Sequence, residues 1–199
     1  RECTFQLVHA EGGEADNAIP REASAEILLT DGEESVLEAI VTRLERDISK
    51  ELATRDGKVQ ILLLKLGATA AMCAEEKDTH RAADFLWALP NGVQCMSADV
   101  EGLVETSLNL GVLCYEAGEF SVTISLRSSV ESSKKALIEK VAAITRQAGG
   151  KYTLTGDYPG WKYRADSPLR DKMVRIYEAM YGEKPRVEAV HAGLECGII

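Results

Sequence analysis

Long apolar runs are missing from this chain. Nothing approaches the ~20 consecutive apolar residues that cross a bilayer as a helix, and a run such as Ile61 to Leu64 is the size of a short strand. No membrane partner is expected. Clusters of Lys and Arg are missing too, and the net charge is −9, which argues against a nucleic-acid surface. The acidity suits a cytoplasmic protein. Cysteine is sparse and unpaired: Cys3, Cys73, Cys95, Cys114 and Cys196 are odd in number, far apart and free of any CxxC. That excludes a disulfide framework and a zinc ribbon. Reduced, partly buried thiols in a reducing compartment are the expectation. Histidine is scarce, with only His9, His80 and His191, and none has a second His or Cys two to four residues on. A di-zinc hydrolase needs several His and carboxylate ligands converging on one point.

The chain opens on Arg1 rather than Met, and its first residues do not read as a signal peptide. A segment cut from a longer protein is the expectation. What is present is a globular composition, 45% hydrophobic and 28% charged, enough for one large domain or two small lobes with a core.

A strand, cap and helix pattern occurs twice. In the first copy Ala23 to Leu29 reads as a strand and Asp31-Gly32 as a turn. Asp31 and Glu34 stand at capping-box spacing, and Val36, Leu37, Ile40, Val41, Leu44, Ile48 and Leu52 form a helical stripe. In the second copy Phe120, Val122, Ile124 and Leu126 alternate with Ser121, Thr123 and Ser125. Ser128 and Glu131 repeat the cap spacing. Leu137, Ile138, Val141, Ala142, Thr145 and Ala148 make the stripe, which Gly149-Gly150 ends.

Before the second copy, Val104 to Cys114 alternates as a strand joined by Glu116-Ala117-Gly118 in a hairpin. Val59 to Leu66 and Tyr152 to Thr155 read as strands, Ala74 to Leu89 as a helix, and Pro90-Asn91-Gly92 as a turn. Ser167-Pro168 is an N-cap followed by proline at the first helical position. The helix it opens carries Leu169, Met173, Ile176, Tyr177 and Met180 on one side, ends at Gly182, and is followed by a short strand from Val187 to Val190. The plan is α+β: antiparallel sheets with helices on one face.

Several segments, in order, resemble the aminoacyl-histidine dipeptidases, members of a di-zinc clan. They are Asn17 to Ala23, Pro90 to Val93, Val104 to Asn109, Tyr158-Pro159-Gly160-Trp161, Ser167-Pro168 and His191 to Gly197. The resemblance implies a lid domain inserted into a catalytic domain that holds two zinc ions and hydrolyses dipeptides ending in His. Residues 1–157 would be a two-lobed lid of dimerisation type, and 158–199 the start of the returning catalytic segment. The family's HxD run and late His are absent, and Glu33-Glu34 and Glu75-Glu76 do not match its catalytic pair in position. No zinc and no catalytic residue are therefore expected within this chain. Its expected partners are a dipeptide, the flanking catalytic domain and a second copy in a homodimer.

Four residues are expected to touch substrate. Arg127 shares the polar parity of Ser121, Thr123 and Ser125, so its guanidinium points away from the helix-covered side. By the resemblance, an Arg at this strand end clamps the peptide carboxylate. His191, Gly193 and Glu195 fall at the position of the clan's glycine-rich substrate loop: Gly193 is the one glycine kept and lets backbone approach, Glu195 stands where the clan often has Asp and would hold an ammonium, and His191 departs from the wider clan but fits the dipeptidase subgroup. Asn17 and Asn91 read as turn-formers, and Trp161 as a packing anchor. The alternative is a stand-alone small-molecule-binding or dimerisation module. A cysteine-dependent enzyme finds no His–Cys spacing to support it.

Overall fold

A computed structural model describes residues 3–56, 58–67, 72–160 and 163–189. The element order is β1 (Phe5–Gly12), β2 (Ala23–Leu29), α1 (Glu34–Glu51), α2 (Glu76–Ala88), β3 (Gly92–Met96), β4 (Val104–Glu116), β5 (Glu119–Ser128), α3 (Glu131–Gln147) and α4 (Pro168–Tyr181). The strands form an antiparallel sheet in the order β2-β1-β4-β3, with β5 also pairing with β4. The α+β plan is the one the alternation predicted.

The described residues divide into two compact units. The first draws on Arg1–Gly12, Arg21–Ala83 and Leu113–Ser121; the second draws on Gly13–Pro20, Asp84–Val112 and Val122–Ile199. In the first, β1 pairs with β2 from Phe5↔Leu29 to Gly12↔Ala23, with a register shift between Leu7 and His9. The disturbed stretch is taken up by the approach to α2. Leu7 N donates to the Thr79 hydroxyl at 3.0 Å, Ala74 N donates to Leu7 O at 2.7 Å, and Gln6 Nε2 donates to Ala74 O at 3.0 Å. Thr79 is buried for that reason: a hydroxyl is covered without cost only when it is bonded. The hairpin turn between β4 and β5 has Ala117 at φ 51° and Gly118 at φ 83°. Two positive φ values match the twist of the flanking strands.

In the second unit the apolar centre is small: Leu89, Leu108, Leu137 and Ala142 are buried. Leu108 and Leu137 each contribute roughly 2 kcal/mol by leaving water. Buried positions change parity along β4, from Thr106 and Leu108 to Gly111 and Tyr115. The alternation of a single dry face therefore does not hold for the whole strand.

Several expectations fail. Val59 to Leu66 is not a strand. Val59 O instead accepts from Ser49 Oγ, and Ile61 N donates to the Glu45 carboxylate, so α1 side chains occupy groups a ladder would need. Tyr152 to Thr155 and Val187 to Ala189 form no ladder either, and Val190 lies outside the described residues. Neither capping box forms. Glu33, not Asp31, stands at the N-cap of α1, and its carboxylate accepts from Thr4 N at 2.8 Å. Val130 stands at the N-cap of α3. Two strands were not anticipated, β1 and β3.

The α4 boundaries hold. Ser167 Oγ accepts from Arg170 N, Pro168 opens the helix, and Gly182 closes it at φ 76°. Ser167→Ala should cost about 1 kcal/mol, because the orphaned amide loses its acceptor. The check is a lower unfolding midpoint with loss of helical ellipticity near the transition. The apolar side of α4 is not buried: Leu169, Met173 and Met180 are 69%, 62% and 68% exposed.

Candidate functional site

The polar side chains of the second unit concentrate where β5 ends. Arg127 is the penultimate residue of β5 and is half-buried. On its parity Ser121 and Thr123 are exposed, while Ser125 is half-buried like Arg127 itself. Among the described residues the Arg127 guanidinium has no ion-pair or hydrogen-bond partner. That is notable in a protein with excess acid, because a half-buried cation without a partner has lost hydration and gained no carboxylate.

A hydroxyl relay fixes the strand end. Val130 N donates to Ser128 Oγ at 3.1 Å, and Ser128 and Thr106 hydroxyls meet at 2.8 Å. Thr106 Oγ1 and Ser133 Oγ each donate to the Glu105 carboxylate at 3.1 Å. Ser129 N donates to Glu105 O at 3.1 Å. Thr106 is 3% exposed, so the relay runs where solvent does not compete for its bonds. The start of β4, the end of β5 and the first turn of α3 are tied into one frame around Arg127.

The chain that follows α3 is fastened to the same frame. Lys134 is 7% exposed. Its Nζ donates to Asp157 Oδ1 at 2.7 Å and to Tyr158 O at 2.8 Å, and lies 3.0 Å from Glu131 Oε2. The hydrogen bond it donates to Asp157, joined by Glu131, raises its pKa above the ordinary lysine value against the opposing effect of burial. Sequence reasoning missed this residue. A signal existed: Lys134 lies three residues before Leu137 and seven before Val141, on the apolar stripe of α3.

A second fixed feature is the loop 13–20. Asn109 Nδ2 donates to Asp16 O and to Ala18 O, both at 2.7 Å. Asn91 Oδ1 accepts from Leu110 N at 3.1 Å. The sequence suggested Asn91 as a turn-former; its side chain acts on β4.

His191, Gly193, Glu195, Trp161 and Cys196 lie outside the described residues. His80 sits 3.4 Å from Glu76 and His9 sits 3.7 Å from Glu11, each beside a single carboxylate. Among the described residues no group of three or more His, Cys, Asp or Glu could hold a metal ion. Cys3, Cys73 and Cys114 are half-buried free thiols as expected, whereas Cys95 is exposed. The Cys3 thiol is pushed up in pKa by burial and by Glu33, the opposite of what a nucleophile needs.

Residues 1–56 match the family described as the peptidase dimerisation domain. A cytosol non-specific dipeptidase of Escherichia coli (strain K12) is 33% identical over 198 residues, 99% of this chain. The crystal structure of aminoacylhistidine dipeptidase from Vibrio alginolyticus matches with a TM-score of 0.88 at 34% identity, covering 98% of this chain. The chain is a homologue of these dipeptidases. It spans 40% of the length of the first and 39% of the second.

Proposed function

We propose that this chain is the lid region of a zinc-dependent dipeptidase that hydrolyses dipeptides ending in His. It closes over substrate and orients it, and it is not catalytic by itself. On this reading residues 1–157 form the two-lobed lid and 158–199 begin the returning catalytic segment. The zinc pair is held by flanking polypeptide, in a cytoplasmic enzyme. Arg127 grips the dipeptide carboxylate, while His191, Gly193 and Glu195 line the substrate's other end.

The observation that carries this reading is a half-buried arginine, its guanidinium unpaired among the described residues, beside a hydrogen-bonded frame in a chain similar over nearly its full length to dipeptidases. The exposed apolar side of α4 supports the division near residue 158, because a stripe of that kind is normally covered by a neighbouring element. The match of residues 1–56 to a dimerisation domain supports a homodimer as the assembled form, and β2 lies at an edge of the sheet where another chain can add.

The test compares the purified 199-residue chain with the full-length protein. The chain alone should hold no stoichiometric zinc and cleave no dipeptide, whereas the full-length protein should do both. Metal analysis and release of free histidine from Xaa-His dipeptides read the outcome. Turnover by the isolated chain, with bound zinc, would falsify the proposal. Sedimentation velocity on the full-length protein tests the homodimer.

A further inference from the structure

The crossover at 157–160 joins the second unit's α3 to α4, and it touches the frame at two places. At the first, the Lys134 ammonium has three N–H donors and meets three acceptors: Asp157 Oδ1 at 2.7 Å, Tyr158 O at 2.8 Å and Glu131 Oε2 at 3.0 Å. Two of these come from residues 23 and 24 positions further along the chain. Ion pairs on open surface contribute little. The Lys134 residue is 7% exposed, so solvent and salt screen the pair far less.

At the second, Gly160 lies directly on the strand end. A Cβ there would stand 2.6 Å from Ser128 O and 2.9 Å from the Ser129 carbonyl carbon, so the crossover backbone rests on the carbonyl groups of Ser128 and Ser129. These residues follow Arg127 by one and two positions. The loop after α3 would otherwise be free to drift, since 151–160 contains no helix or strand.

We infer that Lys134 is a positioning residue: it latches the 157–160 crossover onto the end of β5, and the latch sets where Arg127 is held. The inference rests on the reading of Arg127 as the carboxylate clamp. Lys134 does not touch substrate. It acts through the Ser128 and Ser129 backbone.

A double-mutant cycle in the full-length protein tests it. Lys134→Met should lower kcat/KM for a dipeptide roughly ten- to a hundredfold, as small misplacements of a clamping group do. The loss should appear in KM more than in kcat. In an Arg127→Ala background the same change should cost less than about twofold, because neighbours acting as one unit are not additive. Asp157→Asn gives the second arm and applies even if Lys134→Met fails to fold. It should show the same loss in the parent and the same silence in the Arg127→Ala background. Losses that multiply with that of Arg127→Ala would mean that the latch only stabilises the fold, and would overturn the inference. Parent-level kcat/KM for Asp157→Asn would overturn it too. If Arg127→Ala itself leaves kcat/KM unchanged, the clamp reading fails, and the latch fails with it.

Discussion

Replacing Arg127 with alanine in the full-length protein should lower kcat/KM for dipeptides by roughly thirty- to a hundredfold. A guanidinium paired with a carboxylate makes two parallel charge-assisted hydrogen bonds. Truncating one partner of such a pair costs about 2–5 kcal/mol when the pair is desolvated, and each 1.4 kcal/mol is a factor of ten. Arg127 is half-buried, so the lower part of that range applies. Arg127→Lys should not restore activity, because a point charge on a flexible stem cannot reproduce the fork. The folded state should be little changed, since among the described residues the guanidinium supports no other group. Steady-state kinetics with the free-acid dipeptide and its carboxyl amide reads the effect. Only the free acid should lose by the full factor. An equal loss with both substrates, or a loss below about threefold, would remove Arg127 from the carboxylate site.

The second large effect concerns the fold. Gly13→Ala should destabilise by about 3 kcal/mol or more. Gly13 has φ 75°, and a Cβ on it would overlap the carbonyl oxygen of Gly111. Gly111 is itself pressed against the Asp16 backbone, where a Cβ would overlap three main-chain atoms. Neither neighbour is the movable tip of a side chain, so the backbone would have to shift, and Asn109 pins it by two bonds at 2.7 Å. Gly32→Ala is the control. Its φ is 89° but nothing lies within 4 Å, so only the backbone penalty of about 1 kcal/mol applies. Urea midpoints of the two variants should differ clearly. Equal shifts would mean that the loop 13–20 yields more easily than its contacts imply.

The fold was legible where a segment declared itself. β2, β4, β5, α1, α3 and α4 all carry a clean period of two or of 3.6. The end of α4 was legible because Ser167, Pro168 and Gly182 act through their own residues. Elements that depend on distant partners were not. β1 exists as a strand because β2 lies on one side and Leu113, Cys114 and Tyr115 lie on the other, about a hundred residues away. β3 has every residue exposed, so no buried face marked it. Val59 to Leu66 shows the reverse case: its composition favours a strand, yet α1 side chains hold its backbone groups. Glu33 stands at the N-cap of α1, yet its carboxylate accepts from the distant amide of Thr4 rather than from its own helix.

Local chemistry thus determined which segments are helices or strands and placed Arg127 on a polar strand face, since spacing and side-chain type act over a few residues. The identity of each strand's neighbour, the burial of Lys134 and the frame around Arg127 were decided by tertiary contact alone. The physical reason is that hydrogen bonds between residues such as Lys134 and Asp157, or Asn109 and Asp16, leave no period in the sequence. They exist only once the chain has brought both ends together.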